Sequence, residues 1–265
     1  MRVATFNLHA GVDGWGRATS AYEHAVSLRP DILICPEMWR GDNGPDFFTD
    51  FEKDLSMKGA FAPLTRAERV STGTGKKSWQ PLFAHFSAER GLYYREVRDL
   101  KKIQIKNRLN ATLEPGSWGL GLLTKFEIEE INVESLGRLP REKVNRALII
   151  AKLRDGKRSF YVVAVHGAHL SHGSYLQYRR ISAIVKLLDP SLPLIIAGDF
   201  NCWRPLLRLL LPGWKTLIRA RTYPARTPHS QIDHILGRGP WKKLGGGASD
   251  GGSDHRALVA DVELR

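Results

Sequence analysis

Leu194-Ile195-Ile196-Ala197-Gly198-Asp199-Phe200-Asn201 runs from four apolar residues through a glycine into a carboxylate and an amide. A short apolar run with no polar alternate is the mark of a strand buried on both faces. A carboxylate just past such a strand is held rigidly at a polar edge. In open α/β sheets, ligand sites form there, beyond the carboxyl ends of strands.

Three other places repeat this context. Asn7 follows the strand Val3-Ala4-Thr5-Phe6. Glu37 ends the compact run Asp31 to Cys35 (DILIC). Asp254 and His255 sit in Ser253-Asp254-His255, just before an alternating strand from Ala257 to Leu264. Asp and Asn often begin turns, so each alone means little. Together, several oxygens at strand ends suit a hard cation such as Mg2+, with Mn2+ as a substitute. His169 and His255 add imidazoles able to stabilise charge on phosphorus or protonate a leaving oxygen. Such a role wants a carboxylate partner, and Asp233 in Gln231-Ile232-Asp233-His234 is the best candidate for His255. A rival zinc site at His166, His169 and His172 is disfavoured. Extended backbone puts the first two on opposite faces, and no cysteine lies near. His9 points to the same side as Asn7 in an extended chain.

Working outward, residues 2–7 read as a strand, 17–29 as a helix ended by Pro30, and 41–59 as irregular. Arg66 to Gln80 reads as a polar surface loop, with only a failed echo of a phosphate-cradling motif at Gly75-Lys76. Residues 90–108 mix Arg90, Arg95, Arg98 and Lys101 with Tyr93 and Tyr94, a composition that suits a nucleic-acid backbone and stacked bases. Further strands are expected at Gly119–Thr124, Ala147–Leu153, Phe160–Val165 and Gln231–Leu236. Ser174 to Leu188 is a helix whose Ile181, Ile184, Val185 and Leu188 form one apolar stripe. A glycine-rich loop, GGGASDGGS, precedes the final strand. With no linker or repeat, the 265 residues read as one layered α/β domain spanning 1–265.

Of the side chains, 42% are hydrophobic, enough for a sizeable core. The net charge of +13 favours polyanionic partners, nucleic acid first and an anionic membrane second. Cys35 and Cys202 are too few for a disulfide framework and fit the reducing cytoplasm, as buried thiols. No apolar run approaches the roughly 18 residues that span a bilayer. The opening MRVATFNLHAG is expected to be a strand, not a secretion signal. A monomer is expected, and protein partners are unspecified by the sequence.

Taken in order, TFNLHAG, DILICPE, WGLGLLTKFEI, VVAVHGAHL, LIIAGDFN, TYPARTPHSQIDHIL and GGSDHRALVADVEL resemble the endonuclease/exonuclease/phosphatase superfamily. GDFN is the most specific of these. The resemblance implies a four-layer α/β/β/α sandwich with two mixed sheets face to face. It implies Glu37 as principal Mg2+ ligand, helped by Asn7 and Asp254. Asp199 would orient or deprotonate the attacking water, and Asn201 would hold a phosphate oxygen. His255, paired with Asp233, would stabilise the transition state, and His169 would contact the scissile phosphate. The departures are Pro36 where Gln is usual, Leu120 where the family carries Asn, Gly167 two residues before His169, and His9 at a metal-binding Asp position. The Trp-Cys-Asp-Arg signature of inositol phosphatases is absent.

The expected activity is Mg2+-dependent hydrolysis of phosphodiester bonds in nucleic acid, by an endo- or exonuclease. The alternative is a phosphatase or phosphodiesterase of a phospholipid or small phosphate ester. A membrane-facing Phe47, Phe48 and Phe51 would favour the latter, although core packing explains that cluster more simply.

Overall fold

The computed structural model describes residues 1–13, 17–71, 84–86, 112–139, 144–170 and 174–265. In chain order its strands are β1 (Arg2–Thr5), β2 (Ile32–Gly41), β3 (Lys58–Ser71), β4 (Ala84–Phe86), β5 (Thr112–Thr124), β6 (Glu127–Gly137) and β7 (Arg146–Asp155). There follow β8 (Arg158–His166), β9 (Leu194–Asp199), β10 (Lys215–Thr216), β11 (Asp233–Arg238), β12 (Trp241–Asp250) and β13 (Arg256–Leu264). The helices are α1 (Ala21–Ser27), α2 (Phe47–Asp54), α3 (Ser174–Lys186) and α4 (Arg204–Leu210).

Among the described residues, one sheet has seven strands in the order β12-β13-β1-β2-β5-β3-β4, and the other six in the order β10-β11-β9-β8-β7-β6. Both are mixed: β1 runs parallel to β2 and β8 parallel to β9, while their other neighbours are antiparallel. Period-two alternation then assigns each apolar residue a layer. Ile195 and Ala197 of β9, with Val162 and Ala164 of β8, face the seven-stranded sheet through Ile34, Leu120 and Leu122. Ile196, Val163 and Val165 face outward onto Tyr178, Ile181 and Val185 of α3 and Leu207 of α4. Helices α1 and α2 cover the opposite outer face. The four-layer α/β/β/α sandwich is thus present, and strands apolar on both sides occupy its middle.

Several elements differ from the sequence expectation. The first helix starts at Ala21, because Ala18 bridges back to Val12 and Arg17 ion-pairs with Asp13. Within 41–59, Asp46 accepts from the backbone N–H groups of Phe48 and Thr49 and so caps α2. That helix turns Phe47, Phe48 and Phe51 into the core, not toward a membrane. Arg66 to Ser71 continue β3, since the ladder with β5 runs unbroken to Thr112; residues 72–80 lie outside the described residues. So do 90–108 and their basic-aromatic mixture. Residues 245–250 belong to β12: a side chain on Gly246 would come within 2.1 Å of the Val259 carbonyl, so the glycines permit the pairing. Strand β6 has no counterpart among the expected strands, because its Glu-rich exposed pattern breaks period at the bulge between Ile128 and Glu130. Helix α3 ends at Lys186 with Ile181 and Val185 buried. Both cysteines are buried thiols, and burial raises the pKa of each. Among the described residues no helix is long and apolar enough to cross a membrane.

Candidate active site

Topology brings the expected residues to one end of the sandwich. In the six-stranded sheet, Asp199 at the end of β9 is flanked by His166 at the end of β8 and by Asp233 at the start of β11. From the facing sheet come Asn7, just past β1, and Glu37 of β2. Glu37 does not end its strand, as expected, but sits in a bulge between Cys35 and Met38 with φ of 54°. Pro36 has no N–H for the ladder, which favours a bulge there, and the bulge re-aims the following side chain.

Asn7 joins the two sheets. Its Nδ2 donates to Glu37 Oε1 at 3.0 Å and to Asp199 Oδ2 at 3.2 Å, while its Oδ1 accepts from the His9 backbone at 3.0 Å. Asn201, in the left-handed region at φ 48°, works similarly. Its Nδ2 donates to the Gly167 carbonyl at 3.0 Å and to Asp199 Oδ2 at 3.3 Å. Its backbone N–H donates to Asp199 Oδ1 at 2.7 Å. Below them, the Tyr178 hydroxyl donates to the Phe200 carbonyl and Gln177 Oε1 accepts from the Ala168 backbone. Gly198 is obligatory, because a Cβ there would lie 1.9 Å from the Val165 carbonyl oxygen.

His255 completes the cluster. Its Nδ1 lies 2.9 Å from Asp233 Oδ2 and its Nε2 3.8 Å from Asp199 Oδ2, with Tyr223 tilted against the ring. Burial disfavours charge on this imidazole, but Asp233 and Asp199 outweigh it and hold its pKa well above the ordinary value. Burial pushes the Asp199 carboxyl up to about 7, with His255 opposing and Asp233 adding to the rise.

Two residues were not singled out for the site from sequence. His166 Nε2 stands 3.9 Å from Glu37 Oε1 and 4.0 Å from Asp199 Oδ2, at the centre. The buried Arg146 guanidinium approaches that nitrogen to 2.9 Å, and Trp118 packs against both. Because a guanidinium only donates, Nε2 is the acceptor and the proton sits on Nδ1. Burial first, and the Arg146 charge second, keep His166 neutral by lowering its pKa well below the ordinary range. A lone arginine opening the otherwise apolar run RALIIA was the available signal.

His169 is exposed just past β8, its carbonyl accepting from Ser174 Oγ at 3.2 Å. His172 lies outside the described residues. Asp254 is exposed at the rim, its Oδ1 accepting from Ser253 Oγ at 3.2 Å. His9 turns its Nδ1 to the Val12 carbonyl at 2.9 Å.

Among the described residues, two groups of donor atoms lie close enough to share an ion: Glu37, His166 and Asp199, and Asp199, Asp233 and His255, with atoms in each group within 4.8 Å of one another. The lone pair of His166 Nε2 is engaged by Arg146, and His255, its Nδ1–H donated to Asp233 and its pKa raised by Asp233 and Asp199, is held protonated and offers no lone pair. That leaves carboxylate oxygens as the donors, which fits a hard divalent cation better than zinc.

The family model described as endonuclease/exonuclease/phosphatase family matches residues 4–255. No curated protein matches the chain. Solved structures share the fold. An endonuclease/exonuclease/phosphatase family protein from Leptotrichia buccalis C-1013-b is similar at 12% identity and a TM-score of 0.67, with each chain fully covered. The mannosyl-6-phosphatase of Bacteroides thetaiotaomicron VPI-5482 is similar at 14% identity and 0.64, again with full coverage of both. The human nocturnin catalytic domain is similar at 16% identity and 0.60, covering 100% of this chain and 93% of its own.

Proposed function

We infer that this chain, which belongs to the endonuclease/exonuclease/phosphatase family, is a Mg2+-dependent phosphodiesterase acting on nucleic acid. It is a phosphoester hydrolase by family; the substrate and the metal are our reading. The observation that carries it is Asp199 Oδ2, a buried carboxylate oxygen on which Asn7, Asn201, His166 and His255 all converge within 4.0 Å.

Glu37, partly open to solvent and oriented by Asn7, would hold the cation, with Asp254 at the rim as a further oxygen donor. A bound divalent cation neutralises charge on the phosphate oxygens. The chain's own groups supply the proton chemistry. Asp199, its basicity lifted toward neutrality by burial, takes a proton from the attacking water at Oδ2. Protonated His255, held by Asp233, faces the growing negative charge with its Nε2–H. His169 contacts the scissile phosphate from the exposed side. The amide hydrogens of Asn201 are directed to Gly167 and Asp199 and its backbone N–H to Asp199, so its part is to orient Asp199 rather than to hold a phosphate oxygen. The net charge of +13 supports a polyanionic substrate.

A phospholipid or small phosphate ester is the second reading. Exposed Leu209 on α4, beside Arg208, favours it, as an interfacial pair would. The test is a substrate panel. Protein with Mg2+, Mn2+ or EDTA is offered plasmid DNA, RNA, sphingomyelin and phosphoinositides. Nucleic acid is expected to be cut in Mg2+ and not in EDTA. Intact nucleic acid alongside hydrolysed lipid overturns the choice.

A further inference from the structure

We propose that a groove lined by Trp203, Arg204, Arg219, Arg221, His229 and Gln231 binds the single-stranded segment that flanks the cleaved bond. This rests on the nuclease reading above and extends it to a subsite and a strand state. The groove is shallow and open to solvent, with a volume of about 580 Å3.

Its walls are extensions of the catalytic strands. Trp203 follows Asn201 by two residues, on the segment leaving β9. Gln231 precedes Asp233 by two, on the segment entering β11. The two segments are tied together: the Phe200 N–H donates to the Ile232 carbonyl at 2.9 Å, and His234 Nε2 to the Cys202 carbonyl at 2.9 Å. Gln231 Nε2 donates to the Ile218 carbonyl at 3.2 Å and fixes the third wall, where Arg219 and Arg221 stand. The walls of this groove are thus the chain segments that lead into Asp199 and Asp233.

The chemistry of the walls is that of a single-strand platform. From Phe200 to Ile232 there is no aspartate or glutamate, yet there are Arg204, Arg208, Lys215, Arg219, Arg221 and Arg226. Among the described residues, no carboxylate pairs with Arg204, Arg219 or Arg221. Their charge is open to phosphates, which arginine grips bidentately. Trp203 is 59% exposed, whereas Trp39, Trp118 and Trp241 are buried. An indole left in water beside arginines is a stacking surface for a base. Bases in a duplex stack on each other and offer no free face, so the occupant is single-stranded.

The test uses fluorescein-labelled single-stranded oligonucleotides, one DNA and one RNA, with anisotropy read in EDTA to prevent cleavage. Trp203→Ala and the double variant Arg219→Glu/Arg221→Glu are each expected to weaken binding at least tenfold. An Arg219→Ala/Arg221→Ala pair should make the salt dependence shallower by roughly 0.7 for each phosphate that an arginine no longer neutralises. In Mg2+, the ratio of kcat/KM for the oligonucleotide to that for bis(p-nitrophenyl) phosphate should fall at least tenfold in Trp203→Ala. Variants that bind oligonucleotides as the parent does overturn the groove assignment while leaving a nuclease standing. A parent protein that hydrolyses the small diester but neither binds nor cuts any oligonucleotide overturns the nuclease reading and this inference with it. Trp203-dependent binding to phosphatidylglycerol vesicles, with none to oligonucleotides, assigns the surface to a membrane and overturns the proposal.

Discussion

His255 Nδ1 lies 2.9 Å from Asp233 Oδ2, and neither side chain reaches solvent to more than a few per cent. A buried carboxylate with one imidazole as its partner fixes both the ring orientation and its charge. His255→Ala is therefore expected to cut turnover at least about a hundredfold, in line with the ~10²–10⁴ typical of acid–base groups. Asp233→Asn keeps the shape but removes the charge that favours protonated His255, so it should lower kcat by a similar factor. Circular dichroism checks folding and steady-state kinetics check rate. An active His255→Ala enzyme removes that residue from the chemistry.

His234 carries the clearest pH signature of the fold. Fully buried, with Nε2 on the Cys202 carbonyl and its ring edge-on to Phe200, it is pushed down by burial from 6.5 to about 4. The unfolded chain then binds the extra proton between pH 6.5 and 4, and the folded one does not. Stability is fully present above pH 6.5 and is lost as pH falls through that window, by roughly 3 kcal/mol. Urea midpoints for the parent and for His234→Phe, taken from pH 7 to pH 4, should diverge, with the variant losing less. Parallel losses would show that other groups set the acid limb.

Gly198 decides whether the Asp199 turn can form. A methyl group there meets the Val165 carbonyl at 1.9 Å across the β8–β9 pairing, and its φ of 144° is strained for any L side chain. Gly198→Ala is expected to destabilise by more than about 3 kcal/mol, since backbone strain and a displaced ladder add. Thermal melts read the loss directly. A variant as stable as its parent would show that the strands separate there at little cost.

What could be read from the chain, and what could not, follows the range of the forces involved. Asp199, Glu37, Asp233 and His255 were legible because each adjoins a strongly apolar strand, and short strands fix the side chains at their ends. The helix at Phe47 was hidden, because its Asp46 cap lies in a Gly- and Asp-rich stretch that reads as irregular. The C-terminal part of β3 was hidden for a different reason: Arg66 and Arg69 look solvated until Asp42 and Glu114 are found beside them. His166 and Arg146 are the instructive omissions. Their roles depend on a pairing between β7 and β8 and on Trp118 from the other sheet, contacts with no local imprint. Asp254 is the opposite case: its motif was plain, yet it stands at the rim and in neither cluster of donors.

We propose that Glu37 holds one hard cation beside the buried Asp199 base during phosphodiester hydrolysis. The most direct measurement is hydrolysis of bis(p-nitrophenyl) phosphate by chelator-treated protein as Mg2+ is added back, with Glu37→Gln in parallel. No turnover is expected in EDTA, with recovery in the parent as Mg2+ is restored and a loss of at least about a hundredfold in Glu37→Gln that higher Mg2+ only partly offsets. Turnover indifferent to chelation, or a Glu37→Gln enzyme with the parent's Mg2+ response, would contradict it.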